Sequence, residues 1–448
     1  MVAPARLVAL RTLRSVHAQG LDLAAALDRG RRTLDDERDR ALAAEIAIGT
    51  LRWRAALDYA IAWAGNRTVD DFDAIVLDIL RLSAYQLLHL DRVPASAAVD
   101  DAVELCRTQG HRRATGAVNA ILRRISRDRA RVPMPGPDDA LAYLSLTCSH
   151  PSWLAARWLG RLGFEAARAW MQFNNSPAPL TLRANTLKTT PVALAESLDR
   201  LGVQTRPCTY APEGLLVESG HPLSTPLAGD GVFLPQDEAS QLVGAFVAPQ
   251  AGDRVVDACA APGGKTAQLA AALGGSGFLV AGELRPRRLR LLRETLVAAG
   301  ITAVSLVQHD LLQGLPFADV FDCVVVDAPC SSLGTIRRDP DIRWKRREDE
   351  LPAFADRQAR MLDGASRSVR RGGCLVYATC SSEPEENSGV VDAFLATHPG
   401  FALEDPRTAR ARACRGVEAC LDERGCLSTT PHQHGLEAFF AARLRRRG

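Results

Sequence analysis

The chain has 448 residues, 47% of them hydrophobic and 24% charged, too apolar for a disordered polymer and too long for one ordinary core. Two or three domains are expected. Only three of its 55 basic residues are lysines, Lys188, Lys265 and Lys345, and 52 acids leave a net charge of +3, which excludes a polybasic protein but permits local basic faces. With arginine the default cation, each lysine marks a position where a compact ammonium is worth looking for.

The Arg-bearing, Ala-rich start lacks a hydrophobic core followed by a cleavage site, and no apolar run reaches the roughly 18 residues of a membrane span, so a cytoplasmic protein is expected. From Ala5 to about Arg129 the apolar residues fall at helical spacings, as in Ile75, Ile79, Leu82 and Leu80, Leu87, Leu88, which predicts an all-helical domain over residues 1–131. Its pairs Arg31-Arg32, Arg52 with Arg54, Arg112-Arg113 and Arg123-Arg124 could follow a phosphate backbone or simply be solvated helix faces. Three prolines and a glycine in residues 131–139 cannot continue a helix, so the first boundary is placed there.

Residues 140–246 mix a helix-like stretch, Trp153 to Met171, with strand-like Leu180 to Arg183 and Gly231 to Pro235, the pattern of a small α+β module. Over residues 247–448 strands alternate with helices: Arg254 to Asp257, Gly277 to Ala281, Val304 to Val307, Cys323 to Asp327 and Cys374 to Ala378. Between the second and third, Leu289, Leu292, Leu296 and Ala299 make one helical stripe closed by Gly300. Repeated β-α-β units predict a mainly parallel, doubly wound, Rossmann-like sheet whose ligands bind at the carboxyl ends of the strands.

The eleven cysteines form an odd set without a CxxC pair, fitting neither a disulfide framework nor a zinc site. Cys414, Cys420 and Cys426 recur every six residues, a wider spacing than structural zinc ligands use; no metal is expected, and most thiols should be free.

The first of these strands runs into Asp257-Ala-Cys-Ala-Ala-Pro-Gly-Gly-Lys-Thr266, where Gly263 and Gly264 let backbone amides approach an anionic group at a helix N-terminus. A P-loop also ends Gly-Lys-Thr, but its first glycine would fall at Cys259; a GxGxxG dinucleotide fingerprint is absent as well. The second strand ends at Glu283, placed to hold ribose hydroxyls, and the third at Asp310, near an adenine amino group. Each acid alone could be a cap or loop residue; three at successive strand ends argue for a nucleoside. The fourth and fifth strands deliver Asp327-Ala-Pro-Cys-Ser331 and Tyr377-Ala-Thr-Cys-Ser381. If these strands are neighbours, roughly 5 Å separates their backbones and two thiols share one sheet edge. Cys323 and Cys374 lie inside strands and read as inert core, whereas Cys330 and Cys380 lie just past them, where the crevice opens. Such a pair suggests covalent attack on a pyrimidine ring.

These strings, together with Arg337-Arg-Asp-Pro-Asp-Ile-Arg-Trp344 and Pro384-Glu-Glu-Asn387, resemble the RNA 5-methylcytosine methyltransferases, whose class I catalytic domain uses S-adenosylmethionine. Ser149-His-Pro-Ser-Trp-Leu154, Leu182-Arg-Ala-Asn185 and Pro235-Gln-Asp-Glu-Ala-Ser240 resemble that family's preceding module, and Leu80 to Leu88, Arg92-Val-Pro-Ala95 and Asn119 to Arg123 resemble a NusB-like RNA-binding domain. A NusB-like domain fused to this catalytic part is the arrangement of the bacterial RsmB (Sun/Fmu) family, which methylates one cytosine of 16S ribosomal RNA.

The resemblance implies that Cys380 adds to C6 of the cytosine, that Asp327 hydrogen-bonds the ring N3 and amine, and that Cys330 assists removal of the C5 proton and enzyme release. It places Cys259, Ala260, Ala261, Pro262, Gly263, Gly264 and Lys265 at the methionine end of the cofactor, Glu283 at its ribose, Asp310 at its adenine and Asp327 beside its methyl group. Lys265 would donate near the target base, Lys345 would touch RNA phosphate, and Lys188 would lie on an exposed turn. Glu283 stands where the family more often has aspartate, and Leu436-Glu-Ala-Phe-Phe-Ala-Ala-Arg443 replaces an Asp-Gly before two phenylalanines. The expected protein is a monomer acting on 16S rRNA without metal or membrane. Action on transfer RNA or another rRNA site is the alternative within the class. A non-catalytic ribosome-assembly or antitermination factor is the alternative outside it, opposed by the presence of Cys380, Cys330 and the glycine loop.

Overall fold

The computed structural model describes residues 2–408 and 416–448; Cys414 lies outside the described residues. The chain condenses into two compact units, Met1–Ser176 with Ile336–Glu348, and Pro177–Thr335 with Asp349–Gly448.

The first unit begins with helices Pro4–Gln19, Leu23–Arg31, Glu37–Arg52, Arg54–Gly65, Ala74–His89, Ala95–Thr108 and Thr115–Asp128. Their ends follow local chemistry. Asp36 and Asp73 are N-caps, their carboxylates accepting from the backbone N–H groups of Arg38 and Ile75. Gly20 ends the first helix at φ +64°. Leu10, Leu13, Ile46, Leu57, Ile79, Leu82 and Leu122 are sealed in the shared core, each worth roughly 1.5–3 kcal/mol of transfer free energy. The arginine pairs divide. Arg31, Arg32, Arg112, Arg113 and Arg123 are exposed. Arg52 is buried and donates to the Arg337 carbonyl, so it is unavailable to phosphate, and Arg124 stacks on Trp63 with its guanidinium 4.4 Å from the ring centroid.

Beyond the proline-rich break this unit continues through helices Ser152–Leu162 and Phe164–Asn175. The stretch from Trp153 to Met171 is thus two helices, divided where Gly163 takes φ +76°, with Trp158 and Trp170 ring centroids 5.0 Å apart. Residues 336–348 return to the same unit. Arg343 is fully buried and donates to the Ser149 carbonyl and to Asn175 Oδ1, both at 2.9 Å, and the Trp344 indole donates to the Leu51 carbonyl at 2.6 Å. Lys345 donates to the Leu21 carbonyl at 2.9 Å and pairs with Asp341 at 2.8 Å. Two of its three ammonium N–H groups are therefore engaged by this packing.

The second unit opens with a four-stranded antiparallel sheet of β1 (Thr181–Ala184), β2 (Gln204–Pro207), β3 (Gly214–Ser219) and β4 (Phe233–Pro235), in the order β2-β3-β1-β4. A larger sheet follows: β5 (Arg254–Asp257), β6 (Phe278–Glu283), β7 (Val304–Gln308), β8 (Phe321–Asp327), β9 (Val369–Thr379), β10 (Phe401–Leu403), β11 (Leu427–Thr429) and β12 (Phe439–Arg446). The order is β10-β12-β9-β8-β5-β6-β7, with β11 on β12. Strands β5 to β9 pair in parallel and β10 to β12 join antiparallel. The runs Val255-Val256, Leu279 to Ala281, Val324 to Val326 and Leu375 to Ala378 are almost wholly buried, as a sheet covered on both faces requires. Leu292 and Leu296 of helix Pro286–Ala298 pack with Ala299 under β6 and β7. The parallel order reverses between β5 and β8, the switch point where such sheets bind ligands.

Cys323 and Cys374 are cross-strand neighbours in the core. All ten cysteines among the described residues are free thiols, and among those residues no cluster of His, Cys, Asp or Glu is arranged to hold a metal ion. No helix among them is long and apolar enough to cross a membrane.

Candidate active site

Strand β5 carries Asp257 to the sheet's carboxyl edge, where the Thr266 hydroxyl donates to its Oδ2 at 2.7 Å and Oδ1 is buried without a protein donor. Burial raises this carboxyl to about 6 against the lowering effect of the Thr266 hydrogen bond. The loop turns through Gly263 at φ +114°, where a Cβ would come within 3.0 Å of Leu292 Cδ1, and Gly264 opens helix Gly264–Leu273. Glycine is thus required at 263 on both conformational and packing grounds. Arg183, fully buried on β1, donates to the Gly264 carbonyl at 2.7 Å and also to Gln236. The small sheet thereby fixes the loop from behind.

Lys265 points along the sheet edge and pairs with Asp327 at the end of β8, Nζ to Oδ2 2.9 Å. The Phe439 ring centroid lies 5.5 Å from the same nitrogen. Burial alone would lower the Lys265 ammonium; Asp327, by charge and hydrogen bond, outweighs it and holds the group above its ordinary value.

Strands β8 and β9 are parallel neighbours with Asp327 opposite Ala378, so the loops after them emerge side by side. Cys330 Sγ and Cys380 Sγ are 3.4 Å apart. The Ser332 hydroxyl lies 3.5 Å from Cys380 and 4.0 Å from Cys330. Cys380 is held below the ordinary thiol value by the hydrogen bond from Cys330, against burial, with further help from Ser332 and Lys265. Cys330 is driven the other way by the same hydrogen bond, by burial and by the nearby Cys380 and Glu386 charges. Two sulfurs that share one proton can thus present a thiolate at 380 and a thiol at 330.

At the end of β6, Glu283 accepts from the Arg285 backbone N–H at 2.9 Å, with Arg288 Nε 3.6 Å away. Asp310, past β7, accepts from the Leu312 N–H at 3.0 Å. A cavity of about 360 Å³ is lined by Cys259, Ala261, Glu283, Asp310, Asp327, Cys330 and Cys380. Ala260, Pro262, Gly263, Gly264 and Lys265 do not line it. Ala260 is packed in the apolar layer, and the others shape the loop and the adjoining Asp327 edge. The cavity's acids at Glu283 and Asp310, its loop backbone and its opening onto two thiols fit a nucleoside linked to a methyl donor. Cys259 is raised well above the usual thiol range, first by burial and then by Asp257, Asp327 and Glu283, which makes it a wall rather than a nucleophile.

His309, Ser332, Arg357 and Met361 line the same cavity without belonging to any motif read from the sequence. Arg357 and Met361 sit on the long helix Leu351–Ser366, whose sequence carries only an amphipathic pattern. Ser332, immediately after the Cys330 motif, was within reach of the sequence argument.

Comparison with known proteins places this site in a family. Residues 245–445 match the family described as 16S rRNA methyltransferase RsmB/F, residues 3–127 the NusB family, and residues 150–224 the ferredoxin-like domain of RsmF/B-like methyltransferases. A probable ribosomal RNA small subunit methyltransferase B of Bacillus subtilis is 32% identical over 92% of each chain. The crystal structure of PH0851 superposes with a TM-score of 0.82 at 25% identity, covering 100% of this chain and 99% of that one. A methyltransferase homolog protein from Pyrococcus horikoshii gives 0.59 at 28% identity over 70% of this chain and all of its own. The chain belongs to the RsmB/F family of S-adenosylmethionine-dependent rRNA methyltransferases and carries that family's NusB and ferredoxin-like domains ahead of the catalytic sheet.

Proposed function

We propose that the protein methylates C5 of one cytosine of 16S rRNA, cytosine 967 in the family's usual numbering, through a covalent bond between Cys380 and C6. The observation that carries this reading is the sulfur pair 3.4 Å apart beside the Lys265–Asp327 ion pair. The small-subunit target is supported by the likeness to the Bacillus subtilis probable ribosomal RNA small subunit methyltransferase B and by the fused NusB domain. In this reading the helical segment 1–131 binds RNA, segment 140–246 supports the cofactor loop through Arg183, and segment 247–448 performs the chemistry.

Cytosine C5 is too weak a nucleophile to take a methyl group unaided. Cys380, as thiolate, adds to C6 and moves the electron pair toward C5 and N3. Asp327 accepts from the exocyclic amine, and the Lys265 ammonium paired with it donates toward N3 and steadies the negative charge that develops there. The cofactor would supply an electrophilic methyl group; of the loop after β5, Cys259 and Ala261 would face its methionine end, with Glu283 at its ribose hydroxyls and Asp310 at its adenine amine. With C5 methylated, Cys330, still a thiol, assists transfer of the C5 proton to water. The electron pair released re-forms the C5–C6 double bond and expels the Cys380 thiolate.

The test uses two variants with radiolabelled cofactor and unmethylated 16S rRNA. Cys380→Ala should abolish turnover, and Cys330→Ala should accumulate an RNA adduct that survives denaturation. Turnover in Cys380→Ala, or label mapped to a base other than cytosine, would sink the reading.

A further inference from the structure

Behind the two sulfurs lies an acid that the mechanism above does not use. Glu386, in the short turn Pro384–Glu386, has no solvent exposure. Its Oε1 accepts from the hydroxyls of Ser331 and Ser381, the latter at 2.5 Å. Its Oε2 accepts from the Ser331 backbone N–H at 2.8 Å and from Gln358 Nε2 at 2.9 Å. Gln358 also donates to the Pro329 carbonyl at 3.1 Å. Ser331 and Ser381 directly follow the two cysteines, and their hydroxyl oxygens are 3.2 Å apart. The turn itself is pinned, since the Tyr377 hydroxyl donates to the Glu386 carbonyl at 2.6 Å and Asn387 Nδ2 to the Ser381 carbonyl at 2.9 Å.

Among the described residues no cation forms an ion pair with this carboxylate, so four hydrogen bonds carry the whole of its solvation. A neutral amide of the same shape would satisfy the same four partners at lower desolvation cost. The site nevertheless has a charge, and that charge is among the groups that raise Cys330. A packing role alone accounts for the shape of this side chain but not for its charge.

We propose that Glu386 is the positioning residue of the cysteine pair: it ties the loop after β8 to the loop after β9, fixes the spacing of the sulfurs and keeps the shared proton on Cys330. The proposal rests on the reading of Cys380 as nucleophile, but its test does not require methyl transfer. The full-length protein is treated with iodoacetamide across a pH series, and modification of Cys330 and Cys380 is quantified separately by peptide mass spectrometry. The unaltered chain should alkylate Cys380 at least about tenfold faster than Cys330 at pH 7, the thiolate ratio that one pKa unit provides.

Glu386→Gln preserves shape: its carbonyl oxygen accepts from Ser331 N–H and Gln358, and its amide donates to the two hydroxyls. The charge alone is lost, so Cys330 should become reactive at lower pH and the preference should fall by about threefold or more. In methylation assays kcat should drop while KM for the cofactor stays unchanged. Glu386→Ala should abolish the preference; if that variant does not fold, the Gln variant still decides. An alkylation ratio identical to that of the unaltered chain at every pH in Glu386→Gln overturns the proposal. Methylation that persists in Cys380→Ala would instead remove the nucleophile reading while leaving the alkylation result to stand on its own.

Discussion

Replacing Lys265 tests the reasoning about the site most directly. Unit charges 2.9 Å apart attract by about 6 kcal/mol at an effective dielectric of about 20, and desolvation of both partners cancels much of that. The pair is partly buried, with side-chain exposures of 14% for Lys265 and 28% for Asp327. Its deletion should therefore cost between the ~1 kcal/mol of a surface pair and the ~3–5 kcal/mol of a sealed one, or roughly 2 kcal/mol. In Lys265→Met the larger consequence is electrostatic. Lys265 is one of the groups that lower the Cys380 thiol, so without it the pH at which Cys380 ionises should rise. Such a rise lowers the thiolate fraction at neutral pH and slows methyl transfer by the same factor. The assay is the pH dependence of Cys380 alkylation in Lys265→Met, run beside cofactor binding, which should be unaffected because Lys265 does not line the cofactor cavity. An alkylation curve superimposable on that of the unaltered chain would refute the argument. Lys265→Arg sharpens it: Asp327 at 2.9 Å and the Phe439 ring leave little room for a planar guanidinium, so activity should fall at least about tenfold. Full activity there would mean that the lysine's rarity in this chain carries no information.

Two further outcomes are expected. Glu283→Ala removes a charged acceptor from the proposed ribose site, worth about 1.5–3 kcal/mol, so calorimetric cofactor affinity should fall between about tenfold and a hundredfold; unchanged affinity would contradict the assignment. Asp257 is held at about 6 in the folded chain against about 3.9 in an unfolded one. The native state therefore binds the extra proton between those values, and the contribution of this group to stability falls as pH rises from about 4 to about 6, by about 3 kcal/mol in all. Asp257→Asn should flatten that part of the unfolding profile, and identical pH profiles for the two proteins would refute the assignment of the shift to Asp257.

Much of the catalytic sheet was legible because buried parallel strands are written as continuous apolar runs. The expected strand from Arg254 to Asp257 matches β5, and the others differ from the observed strands by a few residues at their ends. The inert reading of Cys323 and Cys374 follows from the same pattern, and both are core neighbours. The neighbouring β8 and β9, which the sequence left as a condition, bring Cys330 and Cys380 together because Asp327 and Ala378 are in register. Lys188 does sit on an exposed turn, donating to the Asp230 carbonyl at 2.7 Å. Other features were hidden by residue type. Arginine reads as surface, yet Arg183, Arg343 and Arg443 are among the most deeply buried side chains, each donating to carbonyls that come from distant parts of the chain. Glu386 stood inside a recognised string, but its partners Ser331, Gln358 and Ser381 lie up to 55 residues away, beyond any local pattern. The helix break falls at Gly163 while Gly160 stays inside helix Ser152–Leu162, so a glycine alone does not locate it.

The excursion of residues 336–348 has a consequence for how the protein can be divided. A cut between Ser176 and Pro177 follows the compact units along most of the chain, but it does not separate them cleanly. A fragment beginning at Pro177 would still carry Arg343 and Trp344, now stripped of the Ser149, Asn175 and Leu51 groups they donate to, and would expose a guanidinium that the intact chain buries. The complementary fragment would keep the vacated groove without the strand of chain that fills it. Neither half is a self-sufficient module by truncation alone. Recombination that exchanges one unit between relatives must carry residues 336–348 with the first unit, so the two parts are constrained to be inherited together through thirteen residues of shared chain.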